Sequence, residues 1–287
     1  MTMYSPDFAY HRASSLSAAH ALLAENPGAK LLAGGHSLIP LLKLRLASPA
    51  ALVDIGRIAE LRGITMSGDT IRIGALTTHA ELASSAVLKK SASALADAAG
   101  QVGDPAVRNR GTIGGNIAHA DPASDLPTVL VALGAQIVAT RAQGERSIPA
   151  EQFFTGIMTT TLADDEIVTA VVVPASGPGQ KSAYAKFSHP ASRYAVVGVA
   201  ALLTRHDGKC TAARVALGGL LPFAKRAPTV ERAVIGTSAD EATIKTAAAG
   251  VTADLGTEVT GDIFASAEYR AAVAPAYVRR ALAAAAR

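Results

Sequence analysis

The chain reads as an α+β protein of two domains. Up to residue 174, short strand-like apolar runs alternate with helix-like stretches, and "ASGPGQ" at 175–180 then interrupts them as the best linker in the sequence. Beyond it come three strand-like segments in a row and two alanine-rich helical stretches, an order that argues for a second α+β domain of about 100 residues. The expected domains are therefore 1–176 and 177–287.

"SSLSAAHALLAEN" (14–26) has serine at its start, Leu16, Ala19, Leu22 and Leu23 at helical spacing, and "NPG" as its stop, so it predicts a helix. "AKLLAGG" predicts a short buried strand running into a glycine pair. "LIPLLKLRL" is mixed in signal, with Pro40 allowed at most in the first turn of a helix. "ALVDI" (51–55) and "TIRIGAL" (70–76) predict strands, and a helical stretch covers about 79–100. Residues 103–135 read as a long glycine- and asparagine-bearing loop that ends in a helix starting near Asp125, and long loops inside compact domains are commonly functional. "AQIVAT" and "EIVTAVVVP" predict the strands that close the first domain. "SAYAKFSH", "YAVVGVAALLTR" and "TAARVALGGL" predict a three-stranded sheet, followed by helices near 238–253 and 266–285.

Composition removes several classes of function. The one cysteine, Cys210, excludes an internal disulfide, a four-thiolate zinc site and an iron–sulfur cluster held by this chain alone. A net charge of +4 with scattered basic residues is too weak for a nucleic-acid surface, and 4% aromatics without tryptophan offer no base-stacking platform. No apolar run is long enough to cross a membrane, and the N-terminal residues lack the apolar core of a signal peptide, so a cytoplasmic location is expected, with peripheral attachment at the inner face of the membrane as the alternative.

The familiar phosphate and nucleophile motifs are missing. There is no G-x-x-x-x-G-K-[ST], no G-x-G-x-x-G between strand and helix, and no G-x-S-x-G that would make Ser37 a nucleophile. Two glycine-pair loops remain, "AGGHS" (33–37) and "TIGGN" (112–116). Backbone amides without side chains in the way form an anion-binding concavity, so two such loops converging on one ligand would suit a pyrophosphate, with Ser37, Thr112 and Asn116 adding hydrogen bonds. Arg108 and Arg110 flank the second loop, where they could pair with phosphate or with acidic residues of a partner. A metal site on His119, Asp121 and Asp125 is not favoured, because a structural site needs four well-placed ligands.

"LLAGGHSLIPLLKLRLASPAALVDIGRI" together with "VRNRGTIGGNIAHADPASDLPTVLVALGA" resembles the FAD-binding medium subunit of the molybdenum hydroxylases, and the resemblance spans nearly the whole chain, including the tail "SAEYRAAVAPAYVRRAL". It implies an N-terminal FAD-binding domain of the vanillyl-alcohol-oxidase type, with α+β subdomains of about 1–56 and 57–176, and a C-terminal α+β domain. It implies that Ala33, Gly34, Gly35, His36, Ser37 and Leu38 wrap the FAD pyrophosphate noncovalently. Thr112, Ile113, Gly114, Gly115 and Asn116 would form the second wall. Asp121 would line the pocket and Asp125 would face the ribose and adenine end, although Asp125 also suits a helix N-cap. The backbone of Val168 would touch the adenine side, Lys186 would lie near the isoalloxazine, and Tyr194 would stand against the flavin ring. For Lys186 and Tyr194 the readings as a surface cation and a core residue stay open beside these.

The resemblance also implies an assembly: a large subunit with the molybdenum cofactor, a small subunit with two [2Fe–2S] clusters, and a dimer of such heterotrimers. Electrons would leave through this chain's FAD to a quinone, NAD or oxygen. No general acid, base or nucleophile is required here. "GGHSLIPLLKLRLASP" favours the carbon monoxide dehydrogenase-like branch over the xanthine dehydrogenase-like one. A stand-alone flavin oxidase or dehydrogenase and a flavin-free assembly subunit are the alternatives.

Overall fold

The computed structural model describes residues 4–287. Its first unit is a small parallel sheet in the order Ala9–Arg12, Ala51–Asp54, Lys30–Leu32, covered by the helix Leu16–Glu25. Ser15 caps that helix by accepting from Ala18 N–H, and Asn26 closes it. The strand Ala9–Arg12 carries no alternation that would have announced it. "LIPLLKLRL" resolves into the helix Leu38–Lys43, where Pro40 occupies the first turn, whose N–H groups have no intrahelical partner.

The second unit is a five-stranded antiparallel sheet ordered Ile64–Ser67, Thr70–Gly74, Ile167–Pro174, Gln136–Arg141, Gly144–Pro149. The helical stretch expected over 79–100 is three helices, His79–Ser84, Ala86–Ser91 and Ser93–Gln101. Ser85 divides the first two because its extended backbone lets its hydroxyl accept from Leu88 N–H, starting a new helix instead of extending the old one. The region expected to be one long loop contains two short helices. Asp104 caps Pro105–Arg108, and Thr112 caps Ile113–His119, so the second glycine pair lies inside a helix.

The C-terminal sheet has the three long antiparallel strands expected, Gln180–Ser188, Ala195–His206 and Lys209–Gly218, with the two-residue strand Lys225–Arg226 added at its edge. Its central strand is almost wholly apolar because both of its faces are covered. Val197, Val199, Ala201 and Leu203 point toward the helices Pro228–Val234, Glu241–Ala249 and Ala267–Ala285, while Ala200 and Leu202 join the core of the first domain. The helix Asp125–Leu133 lies against this second face and is buried along its whole length. Residues 175–180 are anchored rather than loose: Ala175 N–H donates to Asp69 O and Ser176 N–H to Ser91 O. Among the described residues, no helix is long and apolar enough to cross a membrane.

Candidate functional site

The first glycine loop leaves the sheet after Leu32 and turns into the helix Leu38–Lys43. Gly35 makes this turn at φ +76°, a conformation that L side chains rarely adopt. Gly34 serves close approach instead. A Cβ there would stand 2.0 Å from Arg110 O and 3.0 Å from Gly111 Cα, so the backbone just before the second loop lies directly against the first. Gly115 continues the contact, with its Cβ position 3.8 Å from that of Ala33. The two loops therefore converge.

They differ in what they offer a ligand. Among the described residues nothing accepts from the N–H groups of Gly34, Gly35, His36 or Ser37, and the Ser37 hydroxyl caps nothing. In the second loop Ile113 N–H donates to Thr77 O, Gly114 N–H to Ala75 O, and Gly115 N–H to Thr112 Oγ1. Its expected share of free amides is thus engaged within the chain. Gly114 is glycine because a Cβ would reach within 2.5 Å of Ala75 Cβ, and the helix start must seat on that strand end. Val168, on the central strand Ile167–Pro174, is buried. Its neighbour Thr169 accepts from Ala75 N–H, which links it to the second loop through one strand end.

Of the two arginines, Arg108 is tied, donating through Nη1 to Val102 O (3.0 Å) and Gly103 O (3.1 Å) at the end of the helix Ser93–Gln101. Arg110 is exposed and its guanidinium meets no acceptor among the described residues. Four adjacent unbonded amides, on a loop whose Gly34 abuts the Arg110 backbone, are donors of the kind that hold a pyrophosphate.

His79 was invisible to sequence reasoning. It starts the helix His79–Ser84, is 3% exposed, and lies under Gly111, whose Cβ would be 2.8 Å from its ring. Its Nδ1 is enclosed without a partner. Burial lowers its pKa to about 4, with His36 and Arg108 adding to the effect, so the imidazole beneath the two loops is neutral.

On the other side of the second loop, Asn116 Oδ1 accepts from Ser124 Oγ at 2.8 Å, and Asp121 closes the turn 121–124 by accepting from Ala123 N–H and Ser124 N–H. Asp125 follows as the first residue of its helix. Ser124, not Asp125, is at the cap position. Its carboxylate is 4% exposed and accepts from Tyr184 Oη (2.6 Å) and Lys186 Nζ (2.8 Å), and Lys186 also donates to Gln101 O. Both partners of that ion pair are closed off from solvent, with the Lys186 side chain at 0% exposure. Lys186 is therefore neither a surface cation nor open to a cleft: it bolts the C-terminal sheet to the helix Asp125–Leu133. Burial raises the Asp125 carboxyl and the Tyr184 hydroxyl above their ordinary values, with Lys186 opposing the first. The period of two in "YAK" places Tyr184 and Lys186 on one strand face and was the signal that could have paired them.

Tyr194 is 44% exposed on the loop that leads into the central C-terminal strand Ala195–His206. Partial burial of its hydroxyl raises its pKa, and the negative charges of Asp121 and Asp125 add to the effect. On the two converging loops His36 and Gly115 are exposed, while Thr112, Ile113 and Gly114 are buried.

A family model for the FAD binding domain in molybdopterin dehydrogenase matches residues 6–176, and one for the CO dehydrogenase flavoprotein C-terminal domain matches residues 182–285. The carbon monoxide dehydrogenase medium chain of Hydrogenophaga pseudoflava is 39% identical over 281 residues, covering 98% of this chain and 97% of that one. The 6-hydroxypseudooxynicotine dehydrogenase complex subunit alpha of Paenarthrobacter nicotinovorans is 39% identical over 283 residues, covering 98% and 95%. A structure of the Hydrogenophaga pseudoflava carbon monoxide dehydrogenase lacking the Mo-pyranopterin moiety of its cofactor superposes with a TM-score of 0.93 at 41% identity, covering 98% of each chain. With family models over both domains and relatives matched end to end, the chain belongs to the FAD-binding medium subunits of the molybdenum hydroxylases and stands close to the carbon monoxide dehydrogenase medium chains.

Proposed function

We propose that this chain binds FAD noncovalently and serves as the electron exit of a heterotrimeric molybdenum hydroxylase. The observation that carries the reading is the run of open amides at Gly34, Gly35, His36 and Ser37, set against a second glycine loop with Arg110 beside it. These amides and Arg110 would hold the pyrophosphate. Thr112 and Gly115 would form the facing wall, with Asn116, whose amide nitrogen is uncommitted, and Asp121 near its rim. Tyr194 would stand at the ring. Asp125, Lys186 and Val168 would act from behind as the frame that holds those contacts, because their polar atoms or side chains are enclosed.

When bound, FAD supplies the exchange between single-electron and paired-electron chemistry, and the protein contributes placement and electrostatics. Two [2Fe–2S] clusters in a small subunit would deliver the electrons, and a large subunit would carry the molybdenum cofactor. A dimer of heterotrimers and a quinone, NAD or oxygen as acceptor complete the proposal. A cytoplasmic location is part of the proposal. Two relatives, each 39% identical to this chain, carry the names of different substrates, so identity to this chain does not single out a substrate.

The test is an absorbance spectrum of the complex from its native host, with released cofactor and co-purifying chains identified by mass spectrometry. Free FAD with two further subunits bearing iron, sulfur and molybdenum is the expected result. A colourless single chain would refute it.

A further inference from the structure

The loop that carries Tyr194 is organised by one side chain, His189. Six residues, His189–Tyr194, join the strands Gln180–Ser188 and Ala195–His206. His189 Nδ1 accepts from both Ala191 N–H and Ser192 N–H, each at 3.2 Å. Its backbone closes the same turn, since Arg193 N–H donates to His189 O (2.9 Å) and His189 N–H donates to Tyr194 O (2.8 Å). Pro190 between them has no N–H to compete for the ring nitrogen. Arg193 adopts φ +61°, a left-handed conformation unfavourable to arginine that the surrounding bonds must hold in place.

Two further contacts tie this turn to its surroundings. The His189 ring packs on Phe264 with centroids 4.4 Å apart, and Phe264 is itself fixed by Asp262 Oδ1, which accepts from Phe264 N–H and Ala265 N–H. Just past Tyr194, Ala195 N–H donates to Ala123 O, which docks the loop on the turn that holds Asp121 and precedes Asp125.

We propose that His189 is a positioning residue for the flavin environment: its Nδ1, accepting from Ala191 and Ser192, sets the loop that carries Tyr194 and docks it on the turn 121–124. This rests on the reading of Tyr194 as the residue facing the flavin ring. An acceptor bonded to the amides two and three residues ahead is the geometry of an Asx turn, so asparagine can replace the ring nitrogen while alanine cannot.

The experiment compares His189→Ala, His189→Asn and Tyr194→Ala in the assembled complex by flavin absorbance spectrum, flavin reduction potential and FAD content, and measures amide exchange at Ala191 and Ser192. Losing one acceptor shared by two amides predicts about tenfold faster exchange at both in His189→Ala. The spectrum and potential should move in the direction given by Tyr194→Ala, with FAD content within about twofold of wild type, and His189→Asn should restore all three. If Tyr194→Ala moves the flavin and His189→Ala does not, the positioning role is overturned while the flavin reading stands. If Tyr194→Ala leaves the flavin unchanged, Tyr194 does not face the ring and the proposal falls with that reading. Should His189→Ala fail to fold, His189→Asn decides: failure there too would mean that packing on Phe264, not acceptance, is what His189 contributes, and would overturn the proposal.

Discussion

Acidification should weaken this protein through one buried imidazole. His79 has its pKa lowered from 6.5 to about 4 because the ring is buried under Gly111, with His36 and the Arg108 cation lowering it further. In the unfolded chain the same ring takes up a proton below about pH 6.5, whereas the folded ring stays neutral until about pH 4. The unfolded state thus binds more protons across that window, and stability falls as pH falls through it. Each pH unit is about 1.4 kcal/mol, so the loss is about 2 kcal/mol at pH 5 and saturates at about 3 kcal/mol below pH 4. His79→Leu removes the titration and the unpartnered Nδ1 together. Urea unfolding of both proteins at pH 7, 6 and 5 isolates the effect, because any constant difference between them cancels in the slope. Wild type should lose about 2 kcal/mol more than the variant between pH 7 and 5. Parallel profiles, within about 0.5 kcal/mol, would mean that the folded imidazole titrates as it does in the unfolded chain and would refute the reasoning.

Gly34→Val would drive a side chain into Arg110 O, so the flavin-to-protein ratio should fall to near zero in a complex that still assembles; a wild-type ratio would contradict the placement of the pyrophosphate. Arg110→Ala should weaken FAD binding about tenfold or more by loss of a charged donor, while Arg108→Ala, whose guanidinium only caps Val102 and Gly103, should change thermal stability and leave FAD affinity near wild type. Lys186→Met strands the Asp125 carboxylate in a dry interface and should cost about 3 kcal/mol in denaturant unfolding. Adding Asp125→Asn to that variant should recover part of the loss, and additivity of the two changes would show that the pair is not coupled.

Much of this arrangement was legible in the residues themselves. Helical spacing located the helix Leu16–Glu25, turn residues located Gly35, and the apolar run 194–205 announced a strand. What failed did so for identifiable reasons. Glycine counts against a helix by propensity, so "TIGGN" read as loop, although packing on Ala75 makes a helix with two glycines the better solution. The stretch 79–100 kept one helical pattern across Ser85, whose hydroxyl acts over only three residues and restarts the helix without altering the apolar period. Lys186 and Asp125 were each read for a ligand, and neither composition nor spacing could show that their charges close on each other across the domain boundary.

The sequence by itself determined the α+β character, the two glycine loops and the family, because helix period, strand alternation and turn chemistry are local and leave their record in neighbouring residues. Only the tertiary structure decided which loop keeps its amides open, which arginine is free, and which glycine exists for a turn and which for contact. Those outcomes depend on pairs such as Gly34 with Arg110, Gly114 with Ala75 and Asp125 with Lys186, whose partners are distant in the chain and meet only when the sheets and helices pack.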